Sequence, residues 1–294
     1  MYKKGAILVN PYFFREDVQY QIDRFSSEFK KFNIEMEVRP CNALISYIDA
    51  GKVIVNDFPF DFVMYLDKDK YQALQLEKAG YRVFNKSNAI EVCDEKMRTY
   101  QVLSNHGINI PTTIPGCLCF TKKSKVDLVL MDKVEELLGY PMIVKESYGS
   151  LGKEVYLVND RQDFLEKAQT LIRKPHLFQK YIASSHGTDI RIIVIGKKVC
   201  AWMKRQSNGD FRSNLSEGGS AYKIDLPDAY REMSEKVAEI IDLDFCGLDL
   251  LIGPQGEPVF CEVNSNAFIT GIEKTSEVNV AGIYAEYIYK EIYG

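Results

Sequence analysis

The chain has 294 residues, 46% hydrophobic and 27% charged, enough for two or three domains of about 100–200 residues each. These fractions exclude disordered, collagen-like and coiled-coil classes, and 37 Lys and Arg against 41 Asp and Glu, a formal net charge of −4, argue against broad electrostatic binding of nucleic acid. Seven cysteines without a Cys-x-x-Cys pair, a start lacking the apolar core of a signal peptide, and no uncharged apolar run near the ~20 residues that span a bilayer point to a reducing, cytoplasmic location and no membrane partner.

The first third alternates short apolar runs with helical spacing. Residues 6–9, 34–38, 61–66 and 82–84 read as strands, while Val18, Ile22, Phe25, Phe29 and Phe32 recur at the three-to-four-residue spacing of one helix face. This predicts a small α/β domain over 1–90. Its first strand ends at Val9-Asn10-Pro11 without a Gly-x-Gly-x-x-Gly, so it lacks a dinucleotide phosphate turn and is a candidate substrate domain. Ser87-Asn88 then reads as the cap of a helix over 89–105, stopped by His106-Gly107 with Pro111 beyond.

From residue 140 the texture becomes antiparallel α+β. Residues 141–145, 154–158, 176–182, 190–195 and 199–204 read as strands, with a helix over 161–172. A helix over 228–241 leads to a hairpin, 247–252 and 258–264, turned by Gly253-Pro254-Gln255-Gly256, and an amphipathic segment over 278–292 closes the chain. Divisions are expected at 1–90, 91–174 and 175–294.

Three constellations carry chemistry. On the last hairpin, strand alternation groups Phe260, Glu262 and Asn264 on one face and Val259, Cys261 and Val263 on the other, with Asp249 on the partner strand. A carboxylate among apolar strand residues is costly unless paired or bound to a cation. Two carboxylates and an amide oxygen suit Mg²⁺ shared with substrate phosphates; the same pattern also describes a polar sheet face with Glu262 paired to a lysine. The second constellation is residues 144–153, a strand entering a glycine-containing turn whose N–H groups would cradle phosphate beside Lys145. It also reads as an ordinary hairpin, and its spacing is not that of a Walker A loop. The third, Lys204-Arg205 with Phe211-Arg212-Ser213-Asn214 and Gly218-Gly219, is either a set of guanidinium forks for phosphate or carboxylate, or a solvated basic loop. His106, His176 and His186 show no metal spacing.

The order of motifs is more specific than any one of them. Asp94-Glu95-Lys96, Lys145 with Gly149 and Gly152, Phe178-Gln179-Lys180-Tyr181-Ile182, Gly187-Thr188-Asp189-Ile190-Arg191, Arg212-Ser213-Asn214, Gly247-Leu248-Asp249 and Glu262-Val263-Asn264 together resemble the ATP-grasp superfamily. Within it the chain looks like the RimK-type α-L-glutamate ligases, above all over 210–219 and at Gly271-Ile272-Glu273-Lys274-Thr275.

The resemblance implies an ATP-grasp architecture: a small N-terminal α/β domain, a central lid subdomain and a C-terminal antiparallel-sheet subdomain, with ATP between the last two. It implies that Lys96 and Lys145, with Gly149 and Gly152, meet the nucleotide or its phosphates. Gln179, Lys180, Tyr181 and Ile182 would form the strand whose backbone hydrogen-bonds adenine, and Asp189 would face the ribose. Asp249, Glu262 and Asn264 would hold Mg²⁺ or Mn²⁺, and Arg191, Arg205, Arg212 and Asn214 would face the phosphates and the acyl intermediate. The implied reaction converts a substrate carboxylate to an acyl phosphate at the expense of ATP, after which an amine such as an amino acid displaces phosphate. A D-alanine–D-alanine or carboxylase-type chemistry, or a nucleotide-binding regulatory protein, are the alternatives, and a homo-oligomer is left open. In one place the chain departs from the family: after Glu262-Val263-Asn264 it has Ser265-Asn266-Ala267-Phe268-Ile269 where a small residue and Ser-Pro-Gly are usual, which alters the loop on the amine-acceptor side.

Overall fold

The computed structural model describes residues 3–122, 124–149, 152, 154–213 and 218–294. The first third contains β1 (Lys3–Val9), α1 (Glu16–Lys30), β2 (Ile34–Pro40), the hairpin β3 (Ser46–Asp49) and β4 (Lys52–Val55), β5 (Phe62–Leu66), α2 (Lys70–Lys78) and β6 (Arg82–Phe84). A parallel sheet runs β2-β1-β5-β6. Phe25 and Phe29 of α1 are buried against it, as their spacing predicts.

The single helix expected over 89–105 is two, α3 (Ser87–Asp94) and α4 (Lys96–Leu103), broken at Glu95, whose backbone is extended at φ −115°, ψ 105°. The break has a partner. Lys96 N–H donates to Ser147 O (2.8 Å) and the Glu95 carboxylate accepts from Tyr148 Oη (3.0 Å), so the helical ladder is exchanged for contacts with the next sheet. Ser87 is not the cap either: its N–H and hydroxyl both donate to Glu77 (2.6 Å each).

The middle of the chain holds β7 (Thr113–Pro115), α5 (Leu128–Leu138), β8 (Met142–Glu146), β9 (Val155–Val158), α6 (Arg161–Leu171) and β10 (His176–Lys180), with an antiparallel sheet in the order β7-β10-β8-β9. The strand expected over 176–182 stops at Lys180, leaving Tyr181 and Ile182 beyond it. The division expected at 174/175 falls inside this sheet, because β10 pairs with both β7 and β8. Met142, Val144, Val158 and Phe178 pack against α5 and α6, which leaves Ile143, Lys145, Val155 and Gln179 on the other face.

The last third contains β11 (Thr188–Ile195), β12 (Lys198–Gln206), β13 (Ser220–Tyr222), α7 (Asp228–Ile241), β14 (Phe245–Ile252), β15 (Pro258–Asn264), α8 (Thr270–Ser276) and α9 (Val280–Tyr293). Its antiparallel sheet runs β13-β12-β11-β14-β15. Ile190, Ile192, Leu248 and Leu250 pack beneath α7 and α4. On the opposite face Ile193, Met203 and Phe245 join α9, α1 and the parallel sheet in one core, while the far end of that face is charged. Among the described residues no helix is long and apolar enough to cross a membrane.

Strict alternation fails on β15. Asp249 pairs with Glu262 but Leu250 with Phe260, so Cys261 is an inserted residue, a β-bulge. Phe260 therefore shares the buried face with Val263, and Cys261 turns with Glu262 to the open side, which corrects the expected grouping.

Asn85, after β6, ties the parallel sheet to the last one. It donates to Phe245 O (2.7 Å) and Ser265 O (2.8 Å) and accepts from Asp244 N (2.7 Å) and Phe245 N (3.0 Å). Asn85→Ala leaves four buried backbone groups unpartnered, and one such group costs about 1–3 kcal/mol. The expected result is a loss of at least about 3 kcal/mol in urea melts; an unmoved midpoint would show that water replaces the amide.

Candidate active site

A cleft separates the free face of the middle sheet from the charged end of the last sheet. Lys145 of β8, 4% exposed, donates to Tyr100 Oη (2.8 Å) and Gln179 Oε1 (2.9 Å). Gln179 is held in turn by Thr113 Oγ1 (2.8 Å), and Tyr100 Oη donates to Cys261 O (2.7 Å). Lys96 donates to Gly149 O (2.7 Å). Burial holds both ammonium groups below the ordinary lysine pKa, and neither forms an ion pair with the described residues. Two partly desolvated cations on one cleft wall are poised for an anion. Gly149 and Gly152 sit at φ +113° and +70°, in the left-handed region that favours glycine.

The opposite wall is a ladder of charges in register. Asp189 of β11 lies opposite Arg205 of β12, Arg191 of β11 opposite Asp249 of β14, and Asp249 opposite Glu262 of β15. Arg205 donates through Nε to Asp189 Oδ1 (2.7 Å) and through Nη2 to Asp189 Oδ2, and Nη2 stands 2.9 Å from Asp249 Oδ1. Arg191 Nη2 donates to Asp249 Oδ2 (2.9 Å); its Nε is 2.5 Å from Oδ1 but misaligned for a hydrogen bond, so that contact is coulombic. Burial works to raise the Asp249 carboxyl, yet the two guanidinium groups hold it below the usual range. Burial likewise opposes the Arg205 charge, and Asp189 and Asp249 overcome it. Gly247 makes room for this: a Cβ there would lie 2.5 Å from Ala267 Cβ and 3.0 Å from Arg191 Nη1.

Glu262 stands at the end of the ladder with no hydrogen bond or ion pair among the described residues, on the seam between the cleft and a second cavity that Asn264 also lines. Asp249, Glu262 and Asn264 are hard oxygen donors, one anchored and one open. They fit a divalent cation whose shell phosphate oxygens would complete.

The structure brings Lys96, Lys145, Gly152, Gln179, Lys180, Tyr181, Ile182, Asp189, Arg205, Arg212, Asp249 and Glu262 to the cleft. Their roles are partly other than expected. Asp189, expected at the ribose, accepts from Arg205 and Ser213 Oγ on the cleft wall. Arg205 is buried between two carboxylates, and the Gln179 side chain accepts from Lys145, which leaves its backbone to the cleft. Arg212 Nη1 reaches Gly152 O across the cleft (2.7 Å). Asn214 lies outside the described residues, as do 150, 151 and 153 of the glycine turn. Sequence reasoning missed Tyr100, Thr113 and the bulged Cys261; a tyrosine inside an amphipathic helix carries no signal of what its hydroxyl meets.

The two carboxylates are separable by stability. Asp249→Asn strips a buried pair from two guanidinium groups, for which about 3 kcal/mol or more is expected, whereas Glu262→Gln has no ion pair to break. Denaturant melts should show a clear loss for the first and none for the second; equal losses would mean that Glu262 is paired after all.

Comparison with known proteins agrees with this geometry. Residues 93–288 match the RimK-like ATP-grasp domain. Human N-acetylaspartylglutamate synthase A is 38% identical over 224 residues, 75% of this chain and 56% of that protein, so the chain spans a little over half the length of this relative. A probable α-L-glutamate ligase of Maridesulfovibrio salexigens is 37% identical over 219 residues, 74% of this chain and 70% of the relative. Among solved structures, the VanG D-Ala:D-Ser ligase of Enterococcus faecalis superposes with a TM-score of 0.74 at 16% identity, over 99% of both chains, a likeness of fold. With the match running from the end of α3 into α9, and with its lysines and carboxylates gathered on one cleft, the chain belongs to the RimK-like ATP-grasp family.

Proposed function

We propose that the chain is an ATP-dependent, ADP-forming ligase that joins a carboxylate to an amine, with an amino acid as the amine. The observation that carries this reading is Glu262, without a hydrogen bond or ion pair among the described residues, opposite an anchored Asp249 and facing Lys145 and Lys96 across the cleft. The names of relatives, a glutamate ligase and an N-acetylaspartylglutamate synthase, point the same way.

Each side of the cleft then has a task. Ile143, Val155, Tyr181, Ile182 and Leu251 make an apolar slot suited to a base, and Lys96, Lys145 and Arg212 sit where phosphates would lie. Asp249, Glu262 and Asn264 would hold Mg²⁺, or Mn²⁺, which when bound neutralises charge on the transferring phosphoryl group. Among the described residues the site presents no nucleophilic triad, and the chain contributes positioning and electrostatics: it aligns a carboxylate with the phosphoryl group, then excludes water while the amine attacks. The altered loop at 265–269 leaves the amine unassigned to glutamate.

Glu262→Gln tests the reading. It keeps the shape and removes one charge, and turnover measured as ADP release should fall at least ~10²-fold, as when one strong electrostatic contact is removed elsewhere. Raising Mg²⁺ should recover part of the loss. Wild-type turnover across the Mg²⁺ range would overturn the proposed site.

A further inference from the structure

The cavity beyond Glu262, about 440 Å³, shares Gly152, Asp249 and Glu262 with the nucleotide side. Its N-terminal wall follows the carboxyl ends of two neighbouring parallel strands: Asn10, Tyr12 and Phe13 after β1, Asp67 and Lys68 after β5. β1 lies between β2 and β5, so chain order reverses there, and open parallel sheets leave a ligand crevice at such a point. The facing wall is Asn264 with Asn266, Ala267 and Phe268, the last three from the segment 265–269 in which this chain departs from its family.

Three features restrict what fits. Arg191 uses Nε and Nη2 on Asp249, and its Nη1 makes no hydrogen bond with the described residues; Lys68, 3.3 Å from Asp94, adds a second cation. A carboxylate is therefore received next to Glu262. The rim is aromatic: Phe13 and Phe268 stack with centroids 6.4 Å apart and planes 8° from parallel, and Tyr12 beside them is 86% exposed. Aromatic surface left wet on both walls of a cavity is surface that an apolar ligand would cover. Finally, Asn266 Oδ1 is buried with no hydrogen-bond partner, an acceptor that calls for an N–H. Asp67 is the more engaged acceptor: both of its oxygens accept from Asn10 Nδ2 (3.0 and 3.1 Å), and Oδ1 also accepts from Lys68 N–H (2.6 Å).

We infer that the carboxylate substrate is an N-acylated apolar amino acid, either free or as the last residue of a peptide. Its carboxylate meets Arg191 and Lys68, its acyl N–H donates to Asn266, and its side chain lies on Phe13 and Phe268. This rests on the ligase reading and adds the substrate class to it.

Hydroxylamine makes the test independent of the unknown amine. In a ligase it attacks the acyl phosphate formed from the acid and ATP: a C–N bond forms, the C–O bond to phosphate breaks, phosphate leaves, and a hydroxamate is counted. The acids are N-acetyl-L-phenylalanine, a tetrapeptide ending in phenylalanine, and N-acetyl-L-aspartate as the polar comparator. The expected result is a KM at least about tenfold lower for a phenylalanine acid than for the aspartate acid. Phe268→Ala, and independently Phe13→Ala, should raise the phenylalanine KM roughly ten- to a hundredfold and move the aspartate KM far less. Activity on the peptide alone places the apolar residue at a chain end, and activity on both acids places it in either context. Preference for the aspartate acid, or variants that shift both acids equally or neither, overturns the inference and leaves the ligase intact. If no acid yields hydroxamate, saturation-transfer NMR of N-acetyl-L-phenylalanine with ADP and MgCl₂ decides. Binding that Phe268→Ala abolishes supports the inference while the ligase reading fails, and absence of binding overturns it.

Discussion

The site depends on one guanidinium, that of Arg205, held 5% exposed between Asp189 and Asp249. A face of sheet carrying this many charges is tolerable because, from β12 through β11 to β14, each carboxylate stands against a guanidinium. Remove Arg205 and two carboxylates on adjacent strands face each other across a desolvated gap. Such a ladder gives no advantage in stability over apolar side chains of equal volume. What it fixes is direction: Asp249 is anchored from two sides, and the ladder then ends on Glu262, which forms no ion pair among the described residues. The uncompensated negative charge thus sits at one point, on the seam between the two cavities.

The bulge at Cys261 connects that point to the opposite wall. Its carbonyl accepts from Tyr100 Oη, which accepts from Lys145, so the backbone that aims Glu262 and the ammonium across from it share one hydrogen-bonded path. Were Cys261 a regular strand residue, strict alternation would put Glu262 and Phe260 on one face and one of them would be misplaced. The Cys261 thiol faces the cleft beside Lys145, but burial pushes its pKa up to about 12, so it stays neutral there. The negative charge presented to a cation therefore comes from the two carboxylates.

Much of the architecture was legible because its residues report only on their own strand or helix. The hairpin of β14 and β15 and the helix α7 follow from alternation, turn residues and helical periodicity, none of which needs a partner. Some readable signals went unread: Asp127 caps α5 by accepting from Leu130 N–H (2.9 Å), and Gly139 ends it at φ +64°. Other features were out of reach. The break at Glu95 exists because the middle sheet offers Ser147 and Tyr148, and a bulge leaves no mark in a sequence that still alternates plausibly. The same holds for Asp189. Its motif identifies a carboxylate at the cleft, but whether that carboxylate meets a ribose or an arginine is decided by the neighbouring strand, sixteen residues on.

The Gly271–Thr275 motif that most resembles the family turns out to grip the N-terminal domain. Glu273 accepts from Tyr20 Oη (2.8 Å), Arg24 Nε (3.0 Å) and Ala281 N–H (2.9 Å), tying α8 to α1 and α9. Just upstream, Gln21 of α1 donates to Ala267 O (3.0 Å) and Asn85 to Ser265 O, so the divergent loop is held by its backbone from the N-terminal side. These bonds reach carbonyls, which every residue has. Side chains at 266 and 268 are thus free to vary while the loop keeps its place, and what changes is the chemistry of the cavity wall, not its position. A shared core through α1, α9 and both sheets makes the same point for the other wall, since Tyr12 and Phe13 extend from a strand that packs in that core. Two rigidly related walls with variable side chains are what a substrate site requires if one scaffold is to serve different carboxylates.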